Sequence, residues 1–157
     1  NRAPGLNRRF EAESWPLIPK SVWEAEREAA RAREFSGEYR IWGGDIDGKS
    51  IEIARSNAQR AGVSDIVKFD VADARQFKRE TPGGLIVTNP PYGERIMEKR
   101  EAEELYRAFG NTFRALEGWK LYLLTSHEDF ERVFGKRADR KRKLYNGMIK
   151  CELFMYF

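Results

Sequence analysis

Asn89, Pro90, Pro91 and Tyr92 are the residues of this sequence whose types and order could do chemistry. They follow Gly84-Leu85-Ile86-Val87-Thr88, a short apolar and β-branched run that predicts a strand buried on both faces of a parallel sheet. Two successive prolines end the strand pairing, because neither carries an N–H and each drives its predecessor away from helix. The outcome is a stiff corner at a strand's carboxyl end, where open α/β sheets bind ligands. It offers an amide side chain (Asn89), a backbone carbonyl outside any ladder (Pro90) and an aromatic face (Tyr92). An exocyclic amino group on a nucleobase matches that set: the Asn89 oxygen and the Pro90 carbonyl accept its N–H donors while Tyr92 stacks on the ring. Holding both hydrogens draws the nitrogen lone pair out of the ring system and toward an incoming methyl group. A proline-stopped strand with a turn asparagine would explain a bare Asn-Pro-Pro; the run before it and Tyr92-Gly93 after it favour the site.

Two acids extend the pattern. Tyr39 to Asp47 reads as a strand entering the turn Gly43-Gly44-Asp45-Ile46-Asp47, and Ile51, Ala54, Ala58 and Ala61 follow at helical spacing up to Gly62. Asp47 suits the N-cap of that helix. Asp45 is placed to accept both hydroxyls of a ribose, as in nucleotide-binding βαβ units, with an ordinary turn aspartate as the alternative. Asp65 to Ala74 reads as a third strand, ending in Asp73, which could accept from an adenine amino group while Ala74 leaves room for the ring. Three successive strands then end in Asp45, Asp73 and Asn-Pro-Pro along one edge of one sheet.

The remaining elements position these ends. A short helical turn is expected around Phe10 to Trp15, and Ser21-Val22-Trp23-Glu24 has the form of a capping box opening a helix from Val22 to about Phe35. Glu101 to Leu116 is amphipathic, with Leu105, Phe109, Phe113 and Leu116 as core and Gly110 as a weak point. Trp119 to Ser126 reads as a buried strand, and Glu128 and Asp129 open a short helix to about Phe134. Arg137, Arg140, Lys141, Arg142 and Lys143 then form a basic run, either a solvated loop or a contact for a phosphate backbone. Asn146-Gly147 signals a hairpin, and Cys151 to Phe157 a closing strand in which Cys151 is a packing residue.

Composition sets the bounds. The chain has 157 residues, 41% hydrophobic and 34% charged, which suits one globular domain with a net charge of +4. We divide it into a loop and helix over 1–37 and a sheet core with closing hairpin over 38–157. No apolar run approaches membrane-spanning length, so no membrane partner is expected. A single cysteine excludes an internal disulfide and suits a reducing, cytoplasmic setting. His127 is the only histidine, and a metal site is not expected.

Taken in order, Gly43 to Asp47, Asp73-Ala74, Asn89 to Gly93 and Lys141 to Cys151 resemble the catalytic part of the THUMP-containing RNA methyltransferases. This is the RlmL-like group, also labelled N6-adenine-specific DNA methylases. The Asn-Pro-Pro-Tyr box marks amino-group methyltransferases broadly; the opening Asn1-Arg2-Ala3-Pro4-Gly5 and the closing hairpin are more specific to the group. The resemblance implies an α/β fold, a Rossmann-like class I methyltransferase sheet with a C-terminal antiparallel hairpin. It implies S-adenosylmethionine as cofactor, with Asp45 on the ribose, Ile46 beside the adenine, Asp73 and Ala74 at the adenine amino group and Asn89 bordering the cofactor. Asn89 to Tyr92 would be catalytic. The implied substrate is RNA, at guanine N2 of large-subunit ribosomal RNA. An adenine-N6 DNA methyltransferase and a non-catalytic nucleic-acid-binding fragment are the alternatives. The family's first strand and glycine-rich turn (an acid, then Pro-x-Cys-Gly-Ser-Gly-Thr) are absent. In the family that strand lies mid-sheet, between those ending at Asp45 and Asn89. An upstream segment of the same protein is therefore expected to supply it, and the isolated chain is expected to be inactive.

Overall fold

The computed structural model describes residues 3–35, 37–92 and 99–157. Asn1, Arg2 and Gly93 of the motifs above lie outside the described residues. The chain gathers into two compact units, Asn1–Val71 and Ala72–Phe157.

In the first unit a 3-10 turn, Glu11–Ser14, precedes helix α1, Lys20–Ala32. The helix starts before Ser21, with Pro19 at its N-cap and no side-chain capping bond, so the expected capping box does not form. Pro19 has no N–H to lose and a φ already suited to a helix entry, which explains the earlier start. Strand β1, Ile41–Asp45, pairs in parallel with β2, Val67–Val71, and α2, Gly48–Ala61, connects them. Asp47 caps α2 as expected, accepting from the Lys49 and Ser50 N–H groups; these bonds hold its carboxyl below the usual range. Ile51 and Ala58 supply the buried face of α2.

The second unit holds a four-stranded sheet in the order β3-β4-β6-β5. Its strands are β3, Gly84–Thr88; β4, Trp119–Thr125; β5, Arg140–Asn146; and β6, Ile149–Tyr156. The pair β3 and β4 is parallel, while β6 runs antiparallel to both β4 and β5. Helix α3, Lys99–Arg114, lies between β3 and β4 in sequence, and α4, Phe130–Phe134, follows β4. Alternation in β4 turns Trp119, Leu121, Leu123 and Thr125 inward, where they meet Ala102, Tyr106, Phe109 and Phe113 of α3. Phe130, Phe134, Phe154 and Tyr156 complete an aromatic core with ring centroids 4.6–5.2 Å apart. Gly110 is more than a weak point in α3. A Cβ there would come within 2.1 Å of the Phe134 carbonyl oxygen, so only glycine allows α3 and α4 to approach this closely.

Strand β3 departs from expectation. Leu85 and Val87 are 55% and 73% exposed, so the strand is not buried on both faces. It is an edge strand, paired only with β4 among the described residues. Strand β1 likewise pairs only with β2. The hairpin of β5 and β6 turns through Gly147 and Met148, with φ of +61° at Gly147 and negative φ at Met148, a turn that needs glycine at its first central position. Asn146 is therefore the last paired residue of β5, opposite Ile149, and not part of the turn centre. No described helix is long and apolar enough to cross a membrane.

Candidate active site

The Asn-Pro-Pro-Tyr corner continues directly from the carboxyl end of β3. Asn89 and Tyr92 are tied to each other: the Tyr92 hydroxyl donates to Asn89 Oδ1 at 2.5 Å. The Asn146 side-chain N–H donates in turn to the Tyr92 hydroxyl at 3.3 Å. One hydroxyl thus accepts and donates at once, and Asn89 Oδ1 keeps its second lone pair for an incoming N–H. Burial pushes the Tyr92 phenol up, so it stays a neutral donor at ordinary pH. No described donor reaches the Pro90 carbonyl. Pro91, by contrast, is anchored: its carbonyl accepts from the Tyr106 hydroxyl at 2.6 Å.

Tyr106 reaches the corner from the core. Its ring is wholly buried, edge-on to Phe130 and His127 at 5.2 and 5.6 Å. Because its hydroxyl gives its hydrogen to Pro91, the bond to Thr125 Oγ1 at 3.0 Å must be donated by the threonine. Thr125 Oγ1 then accepts from the His127 backbone N–H, so both hydroxyls of this relay donate and accept. Burial raises the Tyr106 phenol to about 12, so this anchor stays protonated. His127 is a loop residue, as read from sequence, and is buried, with Nε2 3.2 Å from Glu103 Oε1. Cys151 is buried as a packing residue, as expected. Among the described residues no cluster of three His, Cys, Asp or Glu could hold a metal.

The acids fall in different units. Asp45 ends β1 in the first unit; its Oδ1 accepts from the Asp47 N–H at 2.8 Å, and its other oxygen has no partner among the described residues. Ile46 beside it and Val71, at the matching end of β2, are 67% and 61% exposed. The carboxyl ends of these parallel strands thus present a free carboxylate oxygen with two apolar side chains, a set that fits a ribose diol with an adenine ring. Asp73 and Ala74 lie in the second unit, where Asp73 caps the 3-10 turn Ala74–Gln76. Arg75 occupies Asp73 fully: its guanidinium and backbone N–H make four bonds of 2.5–3.0 Å to the two oxygens and hold the carboxyl below the usual range. The turn is fastened to α3, where Thr112 Oγ1 donates to the Arg75 carbonyl at 2.8 Å. One helix therefore touches both the Asp73 turn and the Pro91 corner.

The basic run is strand, not loop, from Arg140 onward. Alternation sends Arg140 and Arg142 to one face and Lys141 and Lys143 to the other, so the run does not form one cationic surface. Lys141 is held by Glu131 at 2.9 Å and lies over the Phe154 ring. Arg137, Arg140, Arg142 and Lys143 have no carboxylate partner among the described residues. Sequence reasoning missed Tyr106, Thr125 and Asn146. The available signal was a tyrosine in a row of buried phenylalanines, since a buried hydroxyl needs a partner.

Comparison with known proteins places the chain in a family. The chain is 40% identical, over 158 residues, to the Bacillus subtilis protein named "Putative RNA methyltransferase YpsC", matching all of this chain and 41% of that protein. It is 37% identical to the ribosomal RNA large subunit methyltransferase K/L of Shewanella baltica, over 98% of this chain and 23% of that protein. The chain thus spans well under half the length of these relatives. A crystal structure described as SMU.472, "a putative methyltransferase complexed with SAH", is 39% identical. It superposes with a TM-score of 0.93 over all of this chain and 42% of that one. The pattern of UPF0020, the RMKL-like methyltransferase domain, matches residues 1–154, and the chain belongs to that family.

Proposed function

We propose that the protein transfers a methyl group from S-adenosylmethionine to the exocyclic amino group of an RNA base, guanine N2 of large-subunit ribosomal RNA. The observation that carries this reading is the Asn89–Tyr92 corner, where an amide oxygen with a spare lone pair and the open Pro90 carbonyl stand just before one buried-core anchor at Pro91. The cofactor supplies an electrophilic methyl on a sulfonium. Asp45 takes its ribose hydroxyls, Ile46 borders the adenine, and Asp73 with Ala74 receives the adenine amino group once Arg75 swings away. The target base leaves its stack at a cost of a few kcal/mol. Tyr92 stacks on it, contributing about 1–3 kcal/mol by analogy with other base–aromatic contacts. Asn89 Oδ1 and the Pro90 carbonyl hold the two amino hydrogens, which localises the lone pair on nitrogen and aims it at the methyl. The surplus proton passes to solvent after transfer. Arg137, Arg140 and Arg142 contact the RNA backbone, while Lys141 stays tied to Glu131.

Nucleoside mass spectrometry of ribosomal RNA from a strain lacking the gene tests this. N2-methylguanosine is expected to fall at one site, to return with the wild-type gene and not to return with Asn89→Ala. In the complete purified protein Asn89→Ala should leave S-adenosylmethionine affinity nearly unchanged by calorimetry. Loss of N6-methyladenine from DNA in place of the RNA change would move the protein to the adenine-N6 reading.

A further inference from the structure

We infer that Tyr106 and Asn146 are positioning residues for this transfer, holding the Asn89–Tyr92 corner in its amine-accepting form without touching the substrate. The inference rests on the function proposed above. Two prolines make the corner stiff but do not choose the direction of its carbonyls or of the Asn89 amide. Those directions are set from outside. The Tyr106 hydroxyl, on α3, takes the Pro91 carbonyl. That fixes the peptide plane following Pro91 and reserves the Pro90 carbonyl for the amine. The Asn146 amide, at the end of β5, takes the Tyr92 hydroxyl and leaves that hydroxyl's own hydrogen to orient Asn89 Oδ1.

The two anchors differ in character. Tyr106 is clamped by Phe130, His127 and Thr125, so its hydroxyl has one available position. Asn146 is exposed and held by the β5 and β6 ladder, which pairs it with Ile149. A tyrosine whose ring alone served the core could be phenylalanine, like its neighbours Phe109 and Phe113 on the same helix face. The hydroxyl is what distinguishes it, and its two bonds lead to the corner and to the threonine that braces it.

The test uses the complete protein, S-adenosylmethionine with a labelled methyl, and ribosomal RNA from a strain lacking the gene. Tyr106→Phe is expected to slow single-turnover transfer about 10- to 100-fold, and Asn146→Ala about 3- to 10-fold. Both should keep cofactor affinity by calorimetry and KM for RNA within about threefold, with rates measured well below each variant's Tm. A Tyr106→Phe protein as fast as an active wild type overturns the inference, as does a rate loss matched by an equal loss of cofactor affinity. Should Tyr106→Phe fail to fold, Asn146→Ala, which removes only an exposed amide, decides by the same criteria. A wild type that labels no RNA overturns the proposed function and the inference with it, which separates that failure from the failure of the inference alone.

Discussion

Arg75 sits on the carboxylate that an adenine amino group would need. Its guanidinium is half in solvent and its partner Asp73 is mostly covered, so the arginine is the mobile member of the pair. Competition of this kind makes a signed prediction: Arg75→Ala tightens S-adenosylmethionine binding to the complete protein by about two- to fivefold, while Asp73→Ala weakens it. Calorimetry on the two variants checks the signs: weakening in both would end the competition by Arg75, and an unchanged affinity in Asp73→Ala would remove Asp73 from the cofactor site. Asp73 shows the limit of reading residues from sequence. Its place after a strand was legible, and its N-cap geometry follows from local chemistry. Its occupation by a neighbour two positions on was not, because aspartate followed by arginine has many solvated arrangements and only the folded turn selects one. Asp47 is the opposite case, since a cap is decided within four residues and the sequence contains them all.

Among the elements, β5 carries the largest revision. Seven successive residues from Arg140 pair with β6, so side chains that looked like one cationic cluster point to opposite faces. Lys141 in addition bridges to Glu131, whose carboxyl is raised by burial but held below the usual range overall by the Ala138 N–H and Lys141. RNA affinity should therefore respond unequally. Arg140→Ala and Arg142→Ala are each expected to lower affinity and reduce the slope of log K against log salt by about one, whereas Lys141→Ala mainly lowers Tm. Filter binding with ribosomal RNA fragments over a range of salt, beside thermal melts, measures both. The helix α3 and strand β4 were read well from sequence because periods of 3.6 and 2 are strong signals over 16 and 7 residues. The burial of β3 was misread because a continuous apolar run reports only that a strand should be covered, not whether the covering segment is at hand. The capping box failed for a local reason: Pro19 starts the helix first.

For the whole molecule the governing fact is incomplete pairing. Strands β1 and β3 each present one edge with no partner among the described residues, and β3 keeps Leu85 and Val87 exposed beside its edge. Relatives are more than twice as long as this chain. A further extended segment could pair with either edge. Calorimetry should find S-adenosylmethionine bound at least about tenfold more weakly by residues 1–157 than by a version extended upstream. Equal affinities would count against the missing strand.

An open row of amides and carbonyls does not discriminate between one extended peptide and another. This polypeptide carries a built-in adhesive along β3, and the same hydrogen-bonding row that would accept any further strand also invites copies to zip together. Its shelf life in a tube would then be governed by concentration more than by temperature.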